Sequence, residues 1–253
     1  MKYRNSCFSR LFHGTNTIEI GPESINVRSA ANEIEIAYSD IHKIQIEPGF
    51  IWSHLSLTGP DLCCSTSGFS ASTLGEIRTR LTSNTGNYLI SLLENSPSTL
   101  QALQKEIPRI TNSDRFISKK NLHRRLSKFK KINTILNHPL VDFSHIDKPL
   151  RLLLQTLHAL TVPESQLLKQ LNDKHVESAL QKHKELFDGV EKNPLTDEQR
   201  RSAIVDEDSN LIIAAAGSGK SSTIVGKAMY LLASGLATTD EILVLTYNNE
   251  AQK

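Results

Sequence analysis

Cysteine is scarce and unpaired in this sequence: Cys7, Cys63 and Cys64 make an odd count, two of them are adjacent, and no C-x-x-C occurs. That excludes a disulfide framework and a cysteine-based zinc site, and predicts reduced thiols in a cytoplasmic protein. The nine histidines are scattered without metal-ligand spacing. No run approaches the ~18 apolar residues of a membrane span, and the N-terminus lacks the apolar core of a leader, so a soluble chain with no membrane partner is expected. An excess of charge is missing too: 29 basic against 27 acidic residues give a formal +2. Nucleic-acid binding, if present, must therefore rest on local patches. Internal repeats and low-complexity tracts are absent. The length, with 38% hydrophobic residues, bounds the chain at about two domains with a sizeable core.

Over residues 15–70 the apolar residues alternate in short runs: Ile18 and Ile20, Ile25 and Val27, Ile34, Ile36 and Tyr38, Ile44 and Ile46, Leu55 and Leu57. Gly21-Pro22, Pro48-Gly49 and Gly59-Pro60 punctuate them as turns. Period-two alternation predicts half-buried antiparallel strands. A helix-compatible stretch follows at about 71–94, with Leu74, Ile77, Leu81, Leu89, Leu92 and Leu93. Strands closed by one helix suggest a small barrel of the pleckstrin-homology kind over residues 1–96. A β-sandwich or meander fits the pattern equally well.

Residues 97–192 read as a helical connector. Leu122, Leu126 and Phe129 share one face, Leu150, Leu153, Leu154 and Leu157 another. Pro97, Pro108, Pro139 and Pro149 are expected to break helices, and a further helix is predicted from Pro163 to Val190. Eight basic residues and no acid stand between Arg115 and Lys131, with Lys120, Arg124, Lys128 and Lys131 at helical spacing. A solvated face and a phosphate-contacting face both explain them.

From Asn193 to Lys253 the pattern becomes α/β: a helix at about 197–205, a strand at 211–215, a loop, a helix at 220–234 and a strand at 242–246. Leu211 to Ala215 and Ile242 to Leu245 are continuous apolar runs, as expected of parallel strands covered on both faces. The loop between them ends in Gly217-Ser218-Gly219-Lys220-Ser221. A triphosphate requires inward backbone N–H groups, a helix N-terminus, a lysine for charge and a hydroxyl for Mg²⁺, all present here in that order. A plain helix cap after a loop is the alternative. Lys220 is thus the candidate catalytic residue, Ser221 the Mg²⁺ ligand, and the loop from Ala214, Ala215 and Ala216 through Ser222 the cradle for ATP. Upstream, Thr196 and Gln199 fit a capping box, while the Gln199 amide could instead read an adenine edge. One side chain cannot do both jobs fully. Tyr247 stands beyond the second strand, where open α/β sheets bind ligands and an aromatic ring can stack on an unpaired base.

At these three places the sequence resembles the UvrD/Rep-like superfamily 1 DNA helicases. Their adenine motif resembles Leu195–Gln199, their P-loop Ala-Gly-Ala-Gly-Ser-Gly-Lys-Thr resembles Ala214–Ser221, and their Thr-Phe-Thr-Asn motif resembles Thr246–Asn249. Ala215 departs from the usual glycine. Within that family the helicase IV type is similar, with a Gly-aromatic-x-Trp turn (Gly49 to Trp52) and an Asn-Pro-Leu start (Asn193 to Leu195). The resemblance implies a RecA-like P-loop domain beginning at residue 193, and an ATP-dependent 3′-to-5′ helicase activity. It also implies Gln199 at adenine, Lys220 and Ser221 on Mg²⁺–ATP, and Thr246, Tyr247 and Asn248 on single-stranded DNA. The family's acidic Walker-B pair, arginine finger and second RecA-like domain have no counterpart here, so the chain is expected to be an N-terminal piece that is not competent alone. Another P-loop ATPase acting on nucleic acid, or a binding module with a relic P-loop, are the alternatives.

Overall fold

A computed structural model describes residues 1–6, 9–10, 13–29, 32–49, 51–192, 194–215 and 217–245. They fall into two compact units, one of residues 1–104 with 129–155, the other of residues 105–128 with 156–253.

Among the described residues the first unit carries seven antiparallel strands. β1 (Lys2–Arg4), β2 (Thr17–Ile20), β3 (Ser24–Arg28) and β4 (Glu33–Ala37) form one sheet in that order; β5 (Lys43–Glu47), β6 (Ser53–Thr58) and β7 (Cys63–Phe69) form the second. No ladder joins the two sheets among the described residues, so the strands do not close into a continuous barrel. The alternation fixes the register. Ile18 faces Val27, Ile20 faces Ile25, and Ile44 faces Leu57, which puts the large apolar side chains on one face of each sheet. Ile36 and Tyr38 follow the pattern, but Ile34, on edge strand β4, remains 43% exposed. Cys64 points into the core while Cys63 faces outward from β7.

Helix α1 (Ala71–Glu94) covers this core. Ser70 caps it, accepting a hydrogen bond from the Thr73 N–H at 3.2 Å, one of the donors a helix start leaves unpaired. Leu74, Ile77 and Leu81 are fully buried against the strand residues, whereas Leu92 turns outward. Tyr38, in a 3₁₀ turn, donates its hydroxyl to the Gly21 carbonyl at 2.6 Å and accepts from Asn84 of α1 at 3.3 Å.

Further helices among the described residues are α2 (Pro97–Thr111), α3 (Lys119–Leu126), α4 (Lys130–Leu136), α5 (Lys148–Thr161), α6 (Gln166–Lys182), α7 (Lys184–Asp188), α8 (Asp197–Ile204) and α9 (Lys220–Ala233). Two proline expectations are corrected. Pro108 lies inside α2 rather than ending it. The helix expected from Pro163 to Val190 starts after Ser165, whose hydroxyl accepts the Leu168 N–H at 3.1 Å, and it is interrupted at His183 before the short α7. The two strands expected at 211–215 and 242–246 are also corrected. Residues 211–215 and 242–245 join no ladder, and Leu211, Ile213, Leu243 and Leu245 are all more than 80% exposed. A parallel strand is defined only by neighbours that pair its backbone on either side, and no described residues pair with these two runs.

Candidate nucleotide-binding site

The candidate loop ends at the N-terminus of α9, and its glycines are there for conformational reasons. Gly217 and Gly219 have φ of 76° and 81°, a region that costs a side chain strain. Gly219 is also the N-cap of α9. A Cβ there would stand 2.4 Å from the Gln199 amide nitrogen. Thr223 braces the turn: its N–H and its hydroxyl both donate to the Gly219 carbonyl at 3.0 Å. The Ser218 hydroxyl donates to the Ala215 carbonyl at 2.8 Å. Lys220, exposed, folds back over its own loop and donates to the carbonyls of Ala214 at 3.0 Å and Ala215 at 2.6 Å. Ser221 is exposed, while Ser222 and Thr223 are buried.

Gln199 joins α8 to this loop. Its Oε1 accepts from the Thr196 N–H at 2.8 Å, and its own N–H donates to the Thr196 hydroxyl at 3.3 Å, which completes the capping box. Its Nε2 donates to the Ser218 carbonyl at 3.0 Å. Both ends of the amide are thus engaged, the oxygen on the cap and the nitrogen on the loop.

Residues outside the sequence motifs hold α9 in place. Gly226 lets the helix approach Leu195 so closely that a Cβ would lie 2.7 Å from Leu195 Cδ1. Lys227 donates to the Val205 carbonyl at 2.7 Å, a cation on the carbonyl end of α8 where helix geometry favours one. Tyr230, one turn beyond Gly226 on the same face, is 2% exposed. It stacks on Phe187 and lies edge-on to His183. Its hydroxyl is 3.2 Å from His175 Nε2, and His175 Nδ1 is 2.7 Å from the Asp114 carbonyl. Burial, and secondarily Asp206, push the Tyr230 hydroxyl above its usual pKa. The legible signal for these residues was the Gly226 to Tyr230 spacing, one helical turn along a buried face.

The helix N-terminus, the two glycines and the exposed Lys220 and Ser221 suit an anionic phosphate group. Among the described residues no group of three His, Cys, Asp or Glu side chains could hold a metal ion. The exposed Ser221 hydroxyl, next to Lys220, could ligate a Mg²⁺ carried by a bound phosphate group. Ala216, Thr246, Tyr247 and Asn248 lie outside the described residues.

The basic segment differs from its expectation. It is not one helix: α3 ends at Leu126, and a 3₁₀ turn at Ser127–Phe129 intervenes. Nor is it without a counter-ion. Glu106 of α2 accepts from Arg125 Nε at 2.7 Å and from Lys128 Nζ at 2.9 Å. Burial would raise the Glu106 pKa, but the hydrogen bonds from Lys128 and Arg125 outweigh it and hold the carboxyl below its usual value.

The UvrD/REP helicase N-terminal domain matches residues 195–253, and DNA helicase IV of Escherichia coli (strain K12) is 39% identical over 82 residues. That alignment covers 32% of this chain and 12% of the relative, so the chain is matched to a small part of that protein's length. The DNA helicase IV / RNA helicase N terminal family matches residues 1–148, and the chain belongs to it. No solved structure matches.

Proposed function

We propose that this chain is the nucleotide-binding N-terminal part of an ATP-dependent DNA helicase, built from a pleckstrin-homology-like β region (1–96), a helical connector (97–192) and the beginning of a RecA-like domain (193–253). The observation that carries this reading is the loop from Gly217 to Ser221 at the head of α9, tied to the upstream motif by the Gln199 to Ser218 hydrogen bond. In this reading Lys220 leaves the Ala214 and Ala215 carbonyls to bind the β/γ-phosphates, Ser221 ligates Mg²⁺, and Gln199 offers its amide to adenine. Bound ATP supplies the phosphoanhydride whose cleavage drives movement. Thr246, Tyr247 and Asn248 contact single-stranded DNA, movement runs 3′-to-5′, and the protein works in the cytoplasm.

A titration of the chain with a fluorescent ATP analogue and Mg²⁺ tests the nucleotide assignment. Saturable binding is expected, weakened about tenfold or more in Lys220→Ala, the scale of one charge-assisted hydrogen bond. Equal affinity in the two proteins overturns it.

A further inference from the structure

Among the described residues, strand β5 is an outer strand of its sheet and pairs with β6 alone. An unpaired strand edge is a row of backbone donors and acceptors that can template another strand. Alongside it, His42, strand residues 43–46, Arg78 and Thr82 of α1, and Pro139 and Leu140 line a cleft of about 560 Å³. That lies within the roughly 300–1,000 Å³ of ligand-binding clefts. Its lining sets an apolar floor of Ile44, Ile46 and Leu140 beside polar Gln45 and Thr82 and a basic rim of Lys43 and Arg78, with no Asp or Glu among the lining residues; the one acid of β5, exposed Glu47, stands at the strand's far end, outside the cleft. Neither Lys43 nor Arg78 makes an ion pair among the described residues.

We propose that this cleft binds an extended acidic segment of a partner protein as an added strand on β5. The edge supplies main-chain hydrogen bonds, the apolar floor takes alternate side chains of the incoming strand, and Lys43 and Arg78 take carboxylates between them. This is the arrangement by which strand addition obtains both affinity and specificity. Five strand residues span roughly 16 Å, so the recognised segment is about five residues long. The basic rim selects acidic over basic sequences of the same apolar pattern. The site is independent of the nucleotide assignment and would stand if that failed.

The test uses the whole chain and two fluorescein-labelled heptapeptide pools with apolar residues at alternate positions, one with Asp/Glu between them and one with Lys/Arg. Anisotropy is expected to rise with the acidic pool and not with the basic one. The charge reversals Lys43→Glu and Arg78→Glu, both on exposed side chains, are expected to weaken binding by about tenfold together. Amide exchange measured by NMR adds a readout specific to strand addition: alternate N–H groups of residues 43–47 become protected when the acidic pool is bound. The proposal is overturned if the acidic pool does not bind, if both pools bind alike, or if binding survives the reversals. It is equally overturned if binding occurs without protection at β5. If the reversals instead abolish binding of a single-stranded oligothymidylate that competes with the peptides, the cleft is a nucleic-acid site and not a peptide site.

Discussion

At the scale of single residues, Gln199 shows how two readings of one side chain can be separated. Its oxygen serves the capping box and its nitrogen the Ser218 carbonyl. Gln199→Glu keeps the acceptor for the Thr196 N–H but loses the donor to Ser218. Gln199→Ala loses both. We expect Gln199→Ala to lower the melting temperature by the equivalent of about 0.5–2 kcal/mol, the value of a helix cap. Gln199→Glu should retain most of that stability while weakening the fluorescent ATP analogue as much as the alanine does. If nucleotide affinity is unchanged in both, Gln199 is a cap alone. His138 gives a second residue-scale expectation. It is 5% exposed and lies edge-on to His42 with ring centres 4.7 Å apart. Burial, and then His42, hold its pKa below the usual imidazole value, opposed in part by the Ile41 backbone. A folded pKa below the unfolded one means that the unfolded chain takes up the proton first. The stability of the first unit should therefore be level above pH ~6.5 and fall below it. His183 shifts in the same direction in the second unit, so the readout must be local. Trp52, the single tryptophan, belongs to the first unit. Melts followed by its emission should show a lower midpoint at pH 5.5 than at 7.5, with the difference shrinking in His138→Gln. An undiminished difference would assign the effect to another group.

At the scale of elements, helix α1 contains two glycines with opposite expectations. A Cβ at Gly75 meets nothing within 4 Å, whereas at Gly86 it would stand 2.9 Å from the Leu140 carbonyl oxygen. Alanine in a helix interior is worth about 0.5–1 kcal/mol over glycine, so Gly75→Ala should raise the urea midpoint. Gly86→Ala should lower it, because the backbone at Leu140 must move. The reverse order of the two midpoints would contradict the packing of the 138–142 segment on α1. What was legible in the sequence divides along similar lines. Strands β2 to β6 and the span of α1 follow directly from period-two and helical spacing of isoleucine and leucine. β1 and β7 did not show, because Lys2–Arg4 is only three residues long and Cys63–Phe69 is mostly small and polar; each is a strand by virtue of its partner, β2 or β6. The runs at 211–215 and 242–245 show the converse, apolar continuity without a ladder. The counter-ion of the basic segment escaped because Glu106 precedes Arg115 on a separate helix, beyond any local count of charge.

At the scale of the whole molecule, the ion pairs narrow where DNA could be held. Arg125 and Lys128 are committed to Glu106, and reversing Lys128 would place like charges together and confound binding with stability. Lys120 and Arg124, four residues apart on α3, are exposed and make no ion pair among the described residues. If the second unit contacts phosphates, these two side chains are placed to do it. Binding of a single-stranded oligothymidylate should then weaken with salt, each neutralised phosphate contributing a slope of about −0.7 in log–log form. The double reversal Lys120→Glu with Arg124→Glu should flatten that slope by about 1.4. Tyr247→Ala should lower affinity and leave the slope nearly unchanged, because stacking on a base releases few ions. A double reversal that alters neither affinity nor slope would make α3 a solvated face and leave DNA contact to the residues after 245.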